Sequence, residues 1–423
     1  MRAIKRHRNT KRLALLLAAG LAISPLTEAA PFSYMGILKQ AESSAGAPAV
    51  FAKLDAMNEL ERKEFLDEQR GGIDMLRNMR SLVGDDAGTA QASAWFDIAS
   101  DLPAKYASHS GAALKGANAE DALQAIVREA STRQIVFLNE AHHVPLARVF
   151  AARLAKELRK IGFTYLACET FDEHIPARPA AITRDMGFYL REPMYGGFLR
   201  SALRDGWTFV GYDTAPEAAN QAERNRLREV GAARNIMEKV FAKDPKAKIF
   251  IYVGYGHAMK QKAANEKGWK SLATLLREGL GKEPLTIDQA TMYARGNARV
   301  DHPQYRATVQ RLAPLQPIVL RAAAGGYAVL AGTTGDYDMQ VFHPDETALN
   351  EKGRPLWMER QAGLTPRPVP ANLLPASGRR LVQAYHAEEG ATAVPADQLL
   401  VEAGKPAPAF MLPKGQFRFS YEK

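Results

Sequence analysis

Three short apolar runs in this chain each end on polar residues of the kind that move protons. Gln134–Leu138 (QIVFL) leads into Asn139-Glu140-Ala141-His142-His143, Phe163–Cys168 (FTYLAC) into Glu169, and Lys248–Val253 (KIFIYV) into Gly254-Tyr255-Gly256-His257. A histidine oriented by a carboxylate makes a general base near neutral pH, and a second histidine supplies the acid or a hydrogen-bond donor. His142 stands two residues after Glu140, so in extended chain the two share a face, whereas His143 points the other way. Arg234 completes the set. Its helix carries Leu227, Val230, Met237 and Phe241 as an apolar stripe, and position 234 falls within it. A guanidinium on an apolar face needs a carboxylate partner, and Glu140 and Glu169 are the candidates. The alternative is a buried ion pair with no catalytic role.

The runs that carry these residues are short, β-branched or aromatic, and separated by helical patterns, which predicts parallel strands of an α/β sheet. Ligands bind such sheets at the carboxyl ends of the strands. A helix is expected over Ala119–Glu129, capped from Asn118 onward, and another where Leu146, Val149, Phe150, Leu154, Leu158 and Ile161 recur before Gly162. Further helices are expected near Gly197–Arg204, Pro216–Ala242 and Trp269–Gly279. Trp207–Tyr212 and Leu285–Ile287 are expected as strands. The expected class is α/β, a mostly parallel central sheet flanked by helices. An N-terminal helical extension covers 31–110, the core 111–300, and a β-rich C-terminal extension 301–423. In the first, Gly71-Gly72 interrupts amphipathic helices that show no chemistry. In the last, Pro317–Arg321, Tyr327–Ala331 and Met339–His343 are expected as short strands, and alternating Phe417, Phe419 and Tyr421 as a half-buried one.

Residues 1–30 read as a secretory signal peptide: a basic start from Arg2 to Arg12, an apolar Leu13–Ile23 too short for a membrane span, and Thr27-Glu28-Ala29-Ala30 for cleavage. The expectation is an exported chain, periplasmic or secreted, with no membrane span after cleavage. Removing six basic and one acidic residue takes the net charge from +10 to about +5. That value, without Lys/Arg runs, argues against a nucleic-acid partner. Cys168, alone and inside an apolar strand, reads as a packed thiol. His109, His174, His302, His343 and His386 read as surface residues.

Several chemistries find no motif. The chain has no Gly-x-Ser-x-Gly elbow, no His-Glu-x-x-His helix and no Gly-x-x-x-x-Gly-Lys loop, and Gly254-Tyr255-Gly256 lacks the third glycine of a dinucleotide fingerprint.

Taken together, Glu140 with His142 or His143, Glu169, Arg234 through Met237, and Gly254 through His257 resemble the superfamily of erythromycin esterase, the haem-binding ChaN-like proteins and the TIKI/TraB-type proteins. The resemblance spans about residues 120–290, with Asn139 where that pattern has glycine. It implies one of three activities: metal-independent ester hydrolysis, divalent-metal-dependent peptide cleavage, or haem binding. The expected function is a hydrolase that activates water on an ester, lactone or amide of a small-molecule or peptide substrate. Two alternatives accompany it. One is a divalent metal held by Glu140, His142 or His143, Glu169 and His257. The other is haem held through Tyr189, Tyr195 or Tyr255.

Overall fold

Strands buried on both faces read as continuous apolar runs, and the central sheet is built from such runs. The computed structural model describes residues 32–46, 53–54, 57–100, 102, 116–260, 268–295, 300–323, 325–330 and 336–422. The expected signal peptide, 1–30, lies outside the described residues, as does His109.

In chain order the strands up to residue 340 are β1 (Asn118–Asp121), β2 (Ile135–Glu140), β3 (Tyr165–Cys168), β4 (Thr208–Phe209), β5 (Ile249–Gly254), β6 (Leu285–Asp288), β7 (Ile318–Arg321) and β8 (Met339–Gln340). Six of them form one sheet in the order β4-β3-β5-β2-β6-β8. Every pairing within it is parallel. The fold is therefore α/β, a parallel sheet flanked by helices with further antiparallel sheets towards the C-terminus.

The α-helices up to residue 280 are α1 (Tyr34–Ser44), α2 (Glu59–Glu68), α3 (Arg70–Leu82), α4 (Asp86–Ala99), α5 (Ala122–Ala130), α6 (Leu146–Lys160), α7 (Pro193–Arg204), α8 (Gln221–Ile236) and α9 (Leu272–Leu280). Alternate strand residues feed two cores, as the two-residue period of a strand requires. Val136, Leu138, Leu166, Cys168, Phe250 and Tyr252 pack with α5, α6 and α7 on one side. Ile135, Phe137, Ala167, Ile249, Ile251 and Val253 pack with α8 and α9 on the other.

Several expectations need correcting. The helix expected from Ala119 begins at Ala122, because Asn118–Asp121 pairs antiparallel with β7, and Asp121 is the residue that caps it by accepting from Gln124 N. Gly71-Gly72 does not interrupt a helix but lies inside α3. A Cβ on Gly72 would come within 2.7 Å of the Ser44 carbonyl oxygen, so glycine there lets α1 and α3 approach closely. Trp207–Tyr212 contributes only the two-residue β4. Tyr327–Leu330 makes no strand, while Met339–Gln340 is the outer strand of the central sheet. In the C-terminal strand Phe417–Glu422, Phe417 is partly buried while Phe419 and Tyr421 are exposed, Phe419 stacking on the buried Phe410 and Tyr421 lying under Arg380. His302 and His343 are buried rather than surface residues.

Candidate functional site

β2 ends on Glu140, and the residue's even position puts its carboxylate on the α6/α7 side of the sheet. There it is saturated with donors. Arg148 in α6 gives it two bonds, Nε to Oε2 at 2.9 Å and a terminal nitrogen to Oε1 at 3.0 Å. The Tyr252 hydroxyl donates to Oε2 at 2.7 Å, and His142 Nδ1 lies 2.8 Å from Oε1. Arg148 also donates to the His142 carbonyl and to Glu192, which caps α7 by accepting from Met194 N and Tyr195 N. Burial pushes the Glu140 carboxyl up, but Arg148 and His142 outweigh it and hold it at about 2. A carboxylate accepting this many bonds is a fixed anion.

Glu169 follows β3 and lies on the α8 side. Arg228 in α8 donates to it at 3.0 Å while also bracing Asp213, and Gly254 N donates to its other oxygen. Burial works against ionisation here too, but His257, His142 and Arg228 outweigh it and hold the carboxyl well below the usual range.

The two histidines approach Glu169 from opposite sides. His142 Nε2 is 3.8 Å from one oxygen and His257 Nε2 is 3.7 Å from the other. Each ring is held by a different carboxylate on Nδ1: Glu140 for His142 at 2.8 Å and Glu229 for His257 at 2.6 Å. For His257, burial disfavours the charged ring, but Glu229 and Glu169 prevail and raise it to about 9.

Gly254 is what lets His142 reach across the sheet. A Cβ there would lie 2.4 Å from His142 Cε1 and 2.7 Å from a Glu169 oxygen. Above the ring, Tyr189 stacks at 3.7 Å between centroids, and Tyr255 meets it edge-on at 5.1 Å. Tyr255 adopts a left-handed conformation (φ 39°), uncommon for a non-glycine residue. Asn139 fixes that turn by donating to the Tyr255 carbonyl, Asp288 and the Tyr337 hydroxyl, and by accepting from Gln289 N. An amide side chain thus ties the ends of β2, β5 and β6 together.

Among the residues expected from sequence, Glu140, His142, Glu169 and His257 meet in this way. His143 does not join them. It turns away, with Nε2 3.3 Å from the Tyr293 hydroxyl, and burial together with Arg77 and Arg295 holds its pKa well below the ordinary value. Arg234 is a correction: it is exposed. The buried face of α8 is Glu229, Ala232, Ala233, Asn235 and Ile236, not the stripe through Val230, which is 45% exposed. Arg148 and Arg228 hold the place given to it. Neither lies in a stripe of large apolar residues, so periodicity did not single them out. Glu229, a carboxylate one position after Arg228, was missed for the same reason.

The site is tightly covered. Asn78, Met79 and Leu82 of α3, with Phe188 and Tyr189, close over His142 and leave a cavity of about 10 Å³. A second of about 10 Å³ lies between Glu169, Arg228 and His257. Each is about the size that holds one water molecule. Solvent reaches the second side, where the His257 and Arg228 side chains are 23% and 30% exposed. Neither space admits a macrocycle, and of the tyrosines considered for haem, Tyr195 is buried beneath Arg148 and Tyr189 stacks on His142. Among the described residues, no group of three or more His, Cys, Asp or Glu side chains is arranged to hold a metal ion. No helix among them is long and apolar enough to cross a membrane.

No family model matches the sequence, and no curated protein matches it. Solved structures similar to parts of the chain include the type III effector HopBA1, at 17% identity and TM-score 0.29 over 41% of this chain and 82% of that one. A bacterial protein toxin matches at 17% and 0.29 over 53% of this chain and 46% of its own. RRSP, a MARTX toxin effector domain from Vibrio vulnificus CMCP6, matches at 15% and 0.25 over 57% and 60%. Likenesses at this level say nothing about what the present chain does.

Proposed function

We propose that this site is an acid–base centre that activates water against an ester, lactone or amide carbonyl of a small-molecule or peptide substrate. The observation that carries the reading is the pair of carboxylate-backed imidazoles whose Nε2 atoms converge on one carboxylate, at 3.8 and 3.7 Å. His142 donates its Nδ1 proton to Glu140, which leaves Nε2 as the base. It takes a proton from water as the water oxygen attacks the carbonyl carbon. His257, charged at neutral pH and anchored by Glu229, donates from Nε2 to the developing oxyanion. The leaving group departs with the proton His142 took. Glu169 sits between the two rings, keeps both oriented and favours the imidazolium that forms on His142. Arg148 and Arg228 hold the carboxylates ionised. A positioned acid or base contributes about 10²–10⁴ in rate. The segment that closes over His142 must move for substrate to enter, because the present cavities hold no more than a water.

The test is hydrolysis of a panel of p-nitrophenyl esters, lactones and anilides by the wild type, His142→Asn, His257→Asn and His143→Asn. Expected is a fall of about 100-fold or more for the first two and little change for the third. Undiminished turnover in His142→Asn, or a wild type inert on the whole panel, overturns the reading.

A further inference from the structure

The strand Phe417–Glu422 is a free edge of the C-terminal sheet. It pairs antiparallel with Arg379–His386, which carries Asp397–Glu402 on its other side, and with no further strand among the described residues. The Ala387 amide donates to the Gln416 carbonyl, so the alternation of the ladder turns the N–H and C=O groups of Arg418, Ser420 and Glu422 towards the inner strand. Those of Phe417, Phe419 and Tyr421 point outwards, and among the described residues they make no hydrogen bond outside the ladder. A row of unpaired main-chain groups is a template for a further strand, and proteins blunt it with proline, lysine, a bulge or a very short strand. This edge runs six residues in unbroken register with none of those in it, and it shows Phe419 and Tyr421 to solvent.

The charges of the strand say what fits it. Arg418 and Glu422 stand equally far on either side of Ser420 and share one face. Arg418 donates to the Glu389 and Gly390 carbonyls and lies over the Tyr385 ring, while Glu422 accepts from the Tyr34 and Met35 amides and the Ser33 hydroxyl. Among the described residues neither belongs to an ion pair. A second copy running antiparallel about a two-fold axis through Ser420 sets each Arg418 opposite the other chain's Glu422. Phe419 then faces Tyr421, and the outward N–H and C=O groups of these two satisfy one another. With the axis at Phe419 instead, Arg418 faces Ser420 and both charges stay unpaired. A carboxylate has about four acceptor positions, so Glu422 keeps its hold on α1.

We propose that this edge joins a second copy of the chain, strand to strand, so that the two C-terminal sheets become one continuous antiparallel sheet across the axis at Ser420. The contact is isologous: each strand receives from its partner the same groups it offers. One strand from each copy makes a small interface, so the dimer is weak and its population follows concentration. The proposal stands independently of the hydrolytic reading, since it uses none of the groups assigned to catalysis.

The test is sedimentation velocity of the full chain from about 1 to 300 µM, with Phe419→Pro and Ser420→Cys beside it. Expected for the wild type is a reversible monomer–dimer equilibrium. Phe419→Pro removes an outward N–H and no bond to the inner strand, so it weakens the dimer about tenfold or more while the melting temperature stays nearly the same. Ser420→Cys places two thiols face to face at a non-hydrogen-bonded pair, with Cα atoms about 4.5 Å apart and so within disulfide reach. Mild oxidation of that variant is expected to give a covalent dimer, and the native Cys168 is fully buried and takes no part. Should Phe419→Pro fail to fold, the Ser420→Cys crosslink carries the result alone. A monomer throughout the range, an undiminished dimer in Phe419→Pro, or a Ser420→Cys chain that stays monomeric on oxidation overturns the proposal.

Discussion

At the scale of the residue, the site depends on an absence of side chain as much as on the groups present. Gly254 occupies the point where β5 passes between the Glu140 and Glu169 sides of the sheet, and its missing Cβ is where His142 lies. Gly254→Ala is expected to keep the fold and to push His142 out of line with Glu169. A displacement of about 1 Å at a reacting group costs on the order of 100-fold in rate, so kcat on a reactive ester is the measurement. The titrating groups give a second expectation. His257 is raised in the folded chain to about 9 from an ordinary 6.5, so the stability it contributes is complete below about 6.5 and is lost as pH rises through about 9. Glu140 is lowered to about 2 from 4.5, so its contribution is present above about 4.5 and lost as pH falls through about 2. The melting temperature should therefore decline on both flanks, and His257→Asn should flatten the alkaline flank and, because His257 is the first of the groups holding Glu169 ionised, soften the acid flank as well. An unchanged alkaline flank in that variant means that His257 is not held charged.

At the scale of the element, α8 decides which arginine serves the site. The strand ends were legible in the sequence because β-branched and aromatic runs stop abruptly on Glu140, Glu169 and Gly254, and a parallel sheet gathers strand ends on one edge. The arginine was not legible, because reading the largest apolar side chains as the buried stripe fails where alanines do the packing. Ala232 and Ala233 bring α8 close to the sheet, and that closeness aims Arg228 and Glu229 at the site while Arg234 faces solvent. The reach of α3 over His142 was equally invisible. Nothing in an amphipathic helix near the N-terminus tells which distant strand end it covers. The expected contrast is sharp. Arg228→Ala abolishes the brace on Glu169 and Asp213, lowers hydrolytic turnover by at least tenfold and destabilises the fold, whereas Arg234→Ala leaves both turnover and melting temperature as they were. Parallel kinetics and thermal melts on the two variants check it, and equal losses would return Arg234 to the site. A related expectation concerns packing: Ala233→Leu should cost about 1–3 kcal/mol by crowding, measured by urea unfolding.

At the scale of the whole molecule, the described residues from Phe32 to Glu422 fall in one compact unit, in which the parts expected as N- and C-terminal extensions are built into each other and into the core. The C-terminal strand ends on Glu422, which accepts from the Tyr34 and Met35 amides at the start of α1. Leu381 joins the core of α1, α3 and α4, and Gln398 donates to the Leu82 carbonyl at the end of α3. The helix over His142 is therefore anchored by the C-terminal sheet as well as by its own contacts, among them Arg77, which stacks on Phe96 and reaches towards the Tyr255 hydroxyl. Arg354 is the joint of this arrangement. It is 1% exposed and pairs with Asp397 at 2.9 Å on one side and Asp86 of α4 at 3.0 Å on the other. Breaking a buried pair strands its partners, at a cost of about 3–5 kcal/mol. Arg354→Met is therefore expected to lower the free energy of unfolding, measured by urea titration, by that amount. It should also speed amide hydrogen exchange in α4 and in Asp397–Glu402 together, because the two are held through one guanidinium, and with them in α3, which packs on α4. Faster exchange confined to the C-terminal strands, with α3 unaffected, would mean that the cover over His142 stands without them, and that opening of the site is governed by α3 alone.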